Sequence, residues 1–269
     1  MHIDEYDKPM LQAIGNEELQ IQFRNMLKAF YGTLKSADRY LRFVLLTGVT
    51  KFSEISVFSD LNNLNDISMD AEYSDICGIT EEELHEVFDE EVAMLAENNN
   101  QTKEEAYQEL KRRYDGYHFS EDSKGMYNPF SILNTLLKKV YRNYWFSTGT
   151  PTYLVELLKR FDFDLQDLSG YETTADALDS IQIRVDNPIP VLYQSGYLTI
   201  SSYDDDLGLY TLDFPNEEVE ESFIRFLIPM YSPISETESP AFVGKFVREV
   251  RAGKVDDFMK RLQSLMADT

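Results

Sequence analysis

At 269 residues the chain is long enough to bury a substantial core in one or two domains, and its 17 Tyr and 17 Phe exclude a disordered polymer. A formal net charge of −23 disfavours direct nucleic-acid binding, which draws its affinity from Lys and Arg displacing counterions from phosphates. The single cysteine, Cys77, excludes an intramolecular disulfide and a multi-cysteine zinc site and is expected to be a small core residue; with no apolar run of about 18 residues and no basic-then-apolar leader, the expectation is a cytoplasmic protein without a membrane partner.

The first motif is His2-Ile3-Asp4-Glu5-Tyr6-Asp7-Lys8-Pro9. A strand that ends in adjacent acids suits nucleotide hydrolysis, where the first acid supports Mg²⁺ and the next orients water. Only Met1 and His2 precede Ile3, so the chain is expected to start in mid-strand. Such a pair works with a glycine-rich phosphate loop, G-x-x-x-x-G-K-[ST]. Gly244-Lys245 and Gly253-Lys254 do not match it, because Phe246 and Val255 follow where a hydroxyl is required. His2, Asp4, Glu5 and Asp7 imitate a metal cluster, but His85 and His118 lie far from them in sequence.

Asn16-Glu17-Glu18 offers a cap and acids at a helix start, and Leu19, Phe23, Met26, Leu27 and Phe30 recur at helical spacing to about Lys35. Phe43-Val44-Leu45-Leu46-Thr47 is a short apolar run ending at Gly48, which predicts a strand buried on both faces of a parallel sheet. Thr80-x-x-Glu83 and Thr102-x-x-Glu105 read as capping boxes, the first opening a helix with Leu84, Val87, Phe88, Val92 and Leu95 as its stripe. His85 belongs on the surface of that helix. A cap residue followed by proline predicts further helix starts at Asn128-Pro129, Thr150-Pro151 and Ser239-Pro240.

Between these starts lie two aromatic segments, Tyr114-Asp115-Gly116-Tyr117-His118-Phe119 and Tyr144 to Pro151, read chiefly as packing material for helix ends. A short helix within Asn187 to Gly196, strands Tyr197 to Tyr203 and Leu209 to Phe214, and a helix from Asn216 form the helix, hairpin, helix pattern of a small winged module. Its wing carries Asp204-Asp205-Asp206, which repels phosphate and favours protein contact. Two closing helices, about Pro240 to Val250 and Val255 to Met266, need partners for their apolar faces.

Read in order, Asp4 to Pro9, Leu46-Thr47-Gly48-Val49-Thr50-Lys51-Phe52-Ser53, Tyr114 to Phe119 and Ser147-Thr148-Gly149-Thr150-Pro151 resemble the bacterial AAA-ATPase-like family that commonly precedes a PD-(D/E)XK nuclease domain. The resemblance covers residues 1 to about 235. It implies a mixed α/β, mostly helical fold: an incomplete RecA-like P-loop ATPase half at 1–70, a helical region at 71–185, a winged-helix-like module at 186–232 and a helical linker at 233–269 leading toward a nuclease-like domain. It further implies Asp4 and Glu5 as the Walker B pair, with Asp4 the Mg²⁺ residue once the missing P-loop is supplied. Thr47, Thr50 and Lys51 stand where related ATPases place a sensor of the γ-phosphate, the alternative being a Gly-Thr turn.

The family's P-loop and its sheet-based nuclease domain are not found. Glu109-Leu110-Lys111 lies in a predicted helix and Asp122-Ser123-Lys124 in a polar loop, so neither suits a nuclease metal site. The chain is therefore expected to be a portion of a longer ATPase. By itself it is expected to be inactive in hydrolysis and to need no cofactor, whereas ATP and Mg²⁺ belong to an intact family member. A sheet cut in half predicts a homodimer or contact with the missing domains. The alternative is a non-enzymatic interaction module derived from such an ATPase.

Overall fold

The computed structural model describes residues 1–13, 15–51, 64–145, 154, 158, 168–179, 187–231 and 239–267. The helix start expected at Thr150-Pro151, and the motif residues Phe52-Ser53 and Ser147 to Pro151, lie outside them.

Strand β1 (His2–Ile3) runs parallel to β2 (Leu45–Leu46), with His2 opposite Leu45 and Ile3 opposite Leu46. Between them lie α1 (Lys8–Gln12) and α2 (Glu17–Ala37). Helix α2 starts as its sequence requires, the Asn16 side chain accepting from the Leu19 amide at 3.0 Å. Strand β2 is shorter than the five-residue run predicted, and its residues are half-buried rather than covered on both faces. Among the described residues this sheet has two strands, and Tyr31, Ile3, Tyr6, Leu27, Leu34 and Leu46 pack as its small core.

The middle of the chain is a helical cluster. Both capping boxes form, opening α3 (Glu81–Val87) and, after α4 (Asp89–Asn98), α5 (Lys103–Tyr114). The single stripe expected over 84–95 is interrupted: Phe88 leaves helical geometry between α3 and α4, and the turn swings Val87 into solvent. Asn128 caps α6 (Pro129–Lys138) through the Ser131 amide at 3.1 Å, and Lys139 ends it at φ 56°. Asn98 and Asn99 then donate to the Lys139 carbonyl, tying α4 to α6. Leu84, Val92, Leu95, Leu110, Tyr114 and Ile132 are central to this core. Cys77 lies before it and is exposed, a correction to the core position expected; it sits in a polar turn outside the apolar periodicity. His85 is on the surface as expected, stacked on Tyr107 at 3.9 Å between ring centres.

Past β3 (Tyr171–Thr173), α7 (Ala175–Asp179) and α8 (Ile189–Gln194), strands β4 (Thr199–Asp204) and β5 (Leu209–Asp213) make the predicted hairpin. The short β3 joins its open side, giving an antiparallel sheet of order β3-β5-β4. Asp204 shapes the acidic turn by accepting from the Asp206 and Leu207 amides, so this carboxylate closes the hairpin. Helix α9 (Glu217–Tyr231) follows, then α10 (Ser239–Arg251) and α11 (Val255–Ala267), which pack in sequence against one another. One apolar core unites Met10 and Leu11 of α1, Tyr117 and Met126, and Leu192, Leu212 and Phe223 of the hairpin region.

Candidate functional site

Because β1 and β2 are parallel and in register, their C-terminal ends meet, and Asp4 and Thr47 are the residues immediately beyond them. The Thr47 hydroxyl donates to Asp4 Oδ1 at 2.7 Å, and the Glu5 amide donates to the same oxygen at 2.9 Å. Thr47 has one hydroxyl proton and gives it to Asp4. The 2.9 Å contact from His2 Nε2 to Thr47 Oγ1 therefore has the imidazole donating. The Thr47 bond, aided by the Glu5 amide, holds the Asp4 carboxyl below its ordinary value. Both bonds use Oδ1, which leaves Oδ2 of this exposed carboxylate for a ligand.

Glu5 has φ 50°, one of the few non-glycine residues in the left-handed region. This kink aims the chain from the strand into α1, and the Glu5 side chain pairs with Lys8 at 2.7 Å in solvent. Thr50 differs from Thr47 in being buried, with its amide and hydroxyl both donated to Asp7. Lys51 forms an ion pair with Asp66, and its amide donates to Gln194 Oε1 at 2.6 Å. Burial pushes the Asp66 carboxyl up, but hydrogen bonds from Lys51 and Ser68 outweigh it and leave the group below its ordinary value. Gln194 in turn donates to the Leu178 carbonyl, so the loop after β2 is clipped to the hairpin region.

Beneath this loop is a cavity of about 550 Å³ lined by Thr47, Thr50, Lys51, His118, Trp145 and Gln194 among others, while Asp4 and Glu5 lie outside it. The segment Tyr114 to Phe119 forms part of its wall. Tyr114 and Tyr117 are buried, and the His118 amide donates to Thr199 Oγ1, which returns its proton to the His118 carbonyl. His118 Nδ1 donates to the Ser123 carbonyl at 2.7 Å, which fixes the orientation of the ring. Gly116 has φ 107° and faces the Pro215 carbonyl. Sequence reasoning passed over Glu218, a buried acid that accepts from Ser131 Oγ at 2.6 Å and the Trp145 amide at 2.8 Å. Burial raises its carboxyl above the ordinary value despite those bonds.

Among the described residues no group of three or more His, Cys, Asp or Glu is arranged to hold a metal. Asp4, an exposed carboxylate at the strand ends, is a residue that could supply the single protein ligand of a Mg²⁺ ion whose remaining ligands are phosphate and water. Among the described residues no helix is long and apolar enough to cross a membrane.

Residues 1–58 match the model of the AAA-ATPase-like family, described as predicted AAA-ATPase. The chain is also similar to an uncharacterised protein in the vnfD 5′ region of Azotobacter chroococcum mcd 1, being 36% identical over 234 residues. That alignment takes in 86% of this chain and 43% of the relative, so the chain spans less than half of the protein it matches. No solved structure matches.

Proposed function

We propose that this chain is a portion of an AAA-type ATPase, with Asp4 and Glu5 as its Walker B pair and Thr47 as the polar sensor beside them. The observation that carries this reading is the 2.7 Å bond from Thr47 to Asp4 across the ends of two adjacent parallel strands. In open α/β sheets ligands bind outside the carboxyl ends of the strands. Asp4, through Oδ2, is the residue that would hold Mg²⁺, which when bound neutralises phosphate charge. Glu5 is placed to orient water once it leaves Lys8, and an exposed ion pair of this kind costs little to break. Thr50 and Lys51 are committed to Asp7 and Asp66, so we assign them to shaping the loop, with Thr47 facing the phosphate.

The phosphate loop is not encoded in these 269 residues, and the proposed hydrolysis belongs to the longer protein rather than to this chain alone. We further infer a nuclease-like domain in that longer protein, with the β4-β5 hairpin and its flanking helices as the winged module that nucleotide binding would move. Calorimetric titration with Mg-ATP, repeated on Asp4→Ala, tests the assignment. No heat from this chain is the result that the missing phosphate loop predicts; heat that vanishes in Asp4→Ala supports a metal-nucleotide role for Asp4 and overturns the inactivity of the isolated chain, and heat that persists unchanged in the variant removes the role of Asp4.

The second reading, an interaction module without catalysis, is favoured by Phe130, Leu133 and Leu137, which recur at i, i+3 and i+7 on α6 and are exposed. Light scattering of the wild type and Leu137→Lys tests it through self-association: a dimer lost in the variant supports that surface, and a wild-type monomer counts against a homodimer.

A further inference from the structure

Asp4 and Glu5 stand in solvent, but the third acid of the same stretch does not. Asp7 is 1% exposed and sits at the N-cap of α1. A carboxylate there ordinarily accepts from amides of the first helical turn, and Asp7 makes no such bond. Its side chain crosses to the loop after β2. It accepts from the Val49 amide at 3.2 Å, the Thr50 amide at 2.6 Å and the Thr50 hydroxyl at 2.7 Å. Three donors from one dipeptide offset the desolvation of the buried group.

The surroundings are shaped for this contact. A methyl group on Gly48 would lie 2.5 Å from Asp7 Oδ1 and 2.8 Å from the Tyr6 ring, so only glycine lets the carboxylate approach. Tyr6 adds a fourth hold, its hydroxyl donating to the Thr50 carbonyl at 3.0 Å. Residues 6 and 7 thus grip the amide, hydroxyl and carbonyl of Thr50. Three residues earlier in the same loop, Thr47 reaches Asp4. The turn between them is held at one end by β2 and at the other by Asp7.

We propose that Asp7 is a positioning residue: by gripping Val49 and Thr50 it fixes the turn after β2 and so keeps the Thr47 hydroxyl on Asp4. The functional meaning of that placement rests on the ATPase reading of Asp4 and Thr47; the placement itself does not. A carboxylate that served only stability would hold the loop down without deciding where Thr47 points.

The experiment compares wild type, Asp7→Asn and Thr50→Val by amide NMR and hydrogen exchange, without ligand. Asn keeps one acceptor oxygen but loses the second, and Val keeps the shape of Thr while removing one donor. Exchange at the Thr50 amide is expected to rise about tenfold or more in Asp7→Asn, the loss of one bond to a charged acceptor. The Glu5 amide, which reports the Asp4 carboxylate, and His2 Nε2, which reports Thr47, are expected to shift in both variants. Faster exchange at Thr50 with Glu5 and His2 unmoved would overturn the proposal, and so would no change at Thr50. Should Asp7→Asn fail to fold, as read from circular dichroism, the same readings on Thr50→Val decide. Because no nucleotide is present, this outcome is independent of the Mg-ATP titration: either claim can fail while the other stands.

Discussion

Gly116→Ala probes the joint between the aromatic segment and the hairpin. At φ 107° an alanine sits outside the regions open to L-residues, at a cost of about 1–3 kcal/mol. Its Cβ would also lie 2.1 Å from the Pro215 carbonyl oxygen, a backbone atom that cannot rotate aside. Relieving that overlap costs about 1–3 kcal/mol more, as overpacking does elsewhere. A total of about 4 kcal/mol corresponds to a fall in melting temperature of roughly 8–16 °C for a chain of this size. Gly170→Ala is the control, because Gly170 has φ 75° and nothing within 4 Å of the added carbon. It carries backbone strain alone, about 1–2 kcal/mol. Urea and thermal unfolding of both variants measure the difference. Equal losses would refute the contact with Pro215, and a Gly116→Ala protein as stable as wild type would refute the strain as well.

Other consequences are directly measurable. Burial holds a proton on Glu218 to higher pH in the folded state than in the unfolded chain, so stability falls as pH rises from the ordinary glutamate value through the raised one. Glu218→Gln retains a carbonyl for the Trp145 amide and a group for Ser131, and is expected to flatten that part of the stability–pH curve in urea titrations; an unchanged slope would assign it to another group, with Asp115, also raised by burial, next to test. Thr102→Ala removes the side-chain half of a capping box, the acceptor for the Glu105 amide, while the amide of residue 102 stays on the Glu105 carboxylate; it should cost about 1 kcal/mol by urea unfolding, with no loss pointing to a frayed first turn in α5. Cys77 should react with a thiol reagent in the native protein at close to the rate seen in urea, since it is exposed; protection would return it to the core position expected from its residue type.

The elements legible in the sequence are those whose signals are local. Thr80 and Thr102 reach the amide three residues on, Asn128 and Pro129 preset a first turn, and the alternation on either side of the acidic turn forms a hairpin, each through contacts within a few residues. Phe88 shows the limit of periodicity: the spacing of 84, 87, 88, 92 and 95 suits one helix, but the turn at Phe88 divides it in two. Strand β3 was invisible because three residues carry too little pattern, and its existence depends on the open side of β5.

For the candidate site the chain supplied the residue types, and the fold supplied the pairings. Asp4 and Thr47 could each be picked out, but their contact depends on the parallel register of two strands separated by α1 and α2. Burial was the larger surprise. Asp7 and Glu218 look like any other acids in a chain of charge −23, and nothing local separates a solvated carboxylate from one enclosed by donors brought from 42 to 87 residues away. Caps and periodicity are settled by neighbours along the chain and can be read there. The placement of a buried charge is settled by long-range donors that offset its desolvation, and those donors come together only when the chain folds.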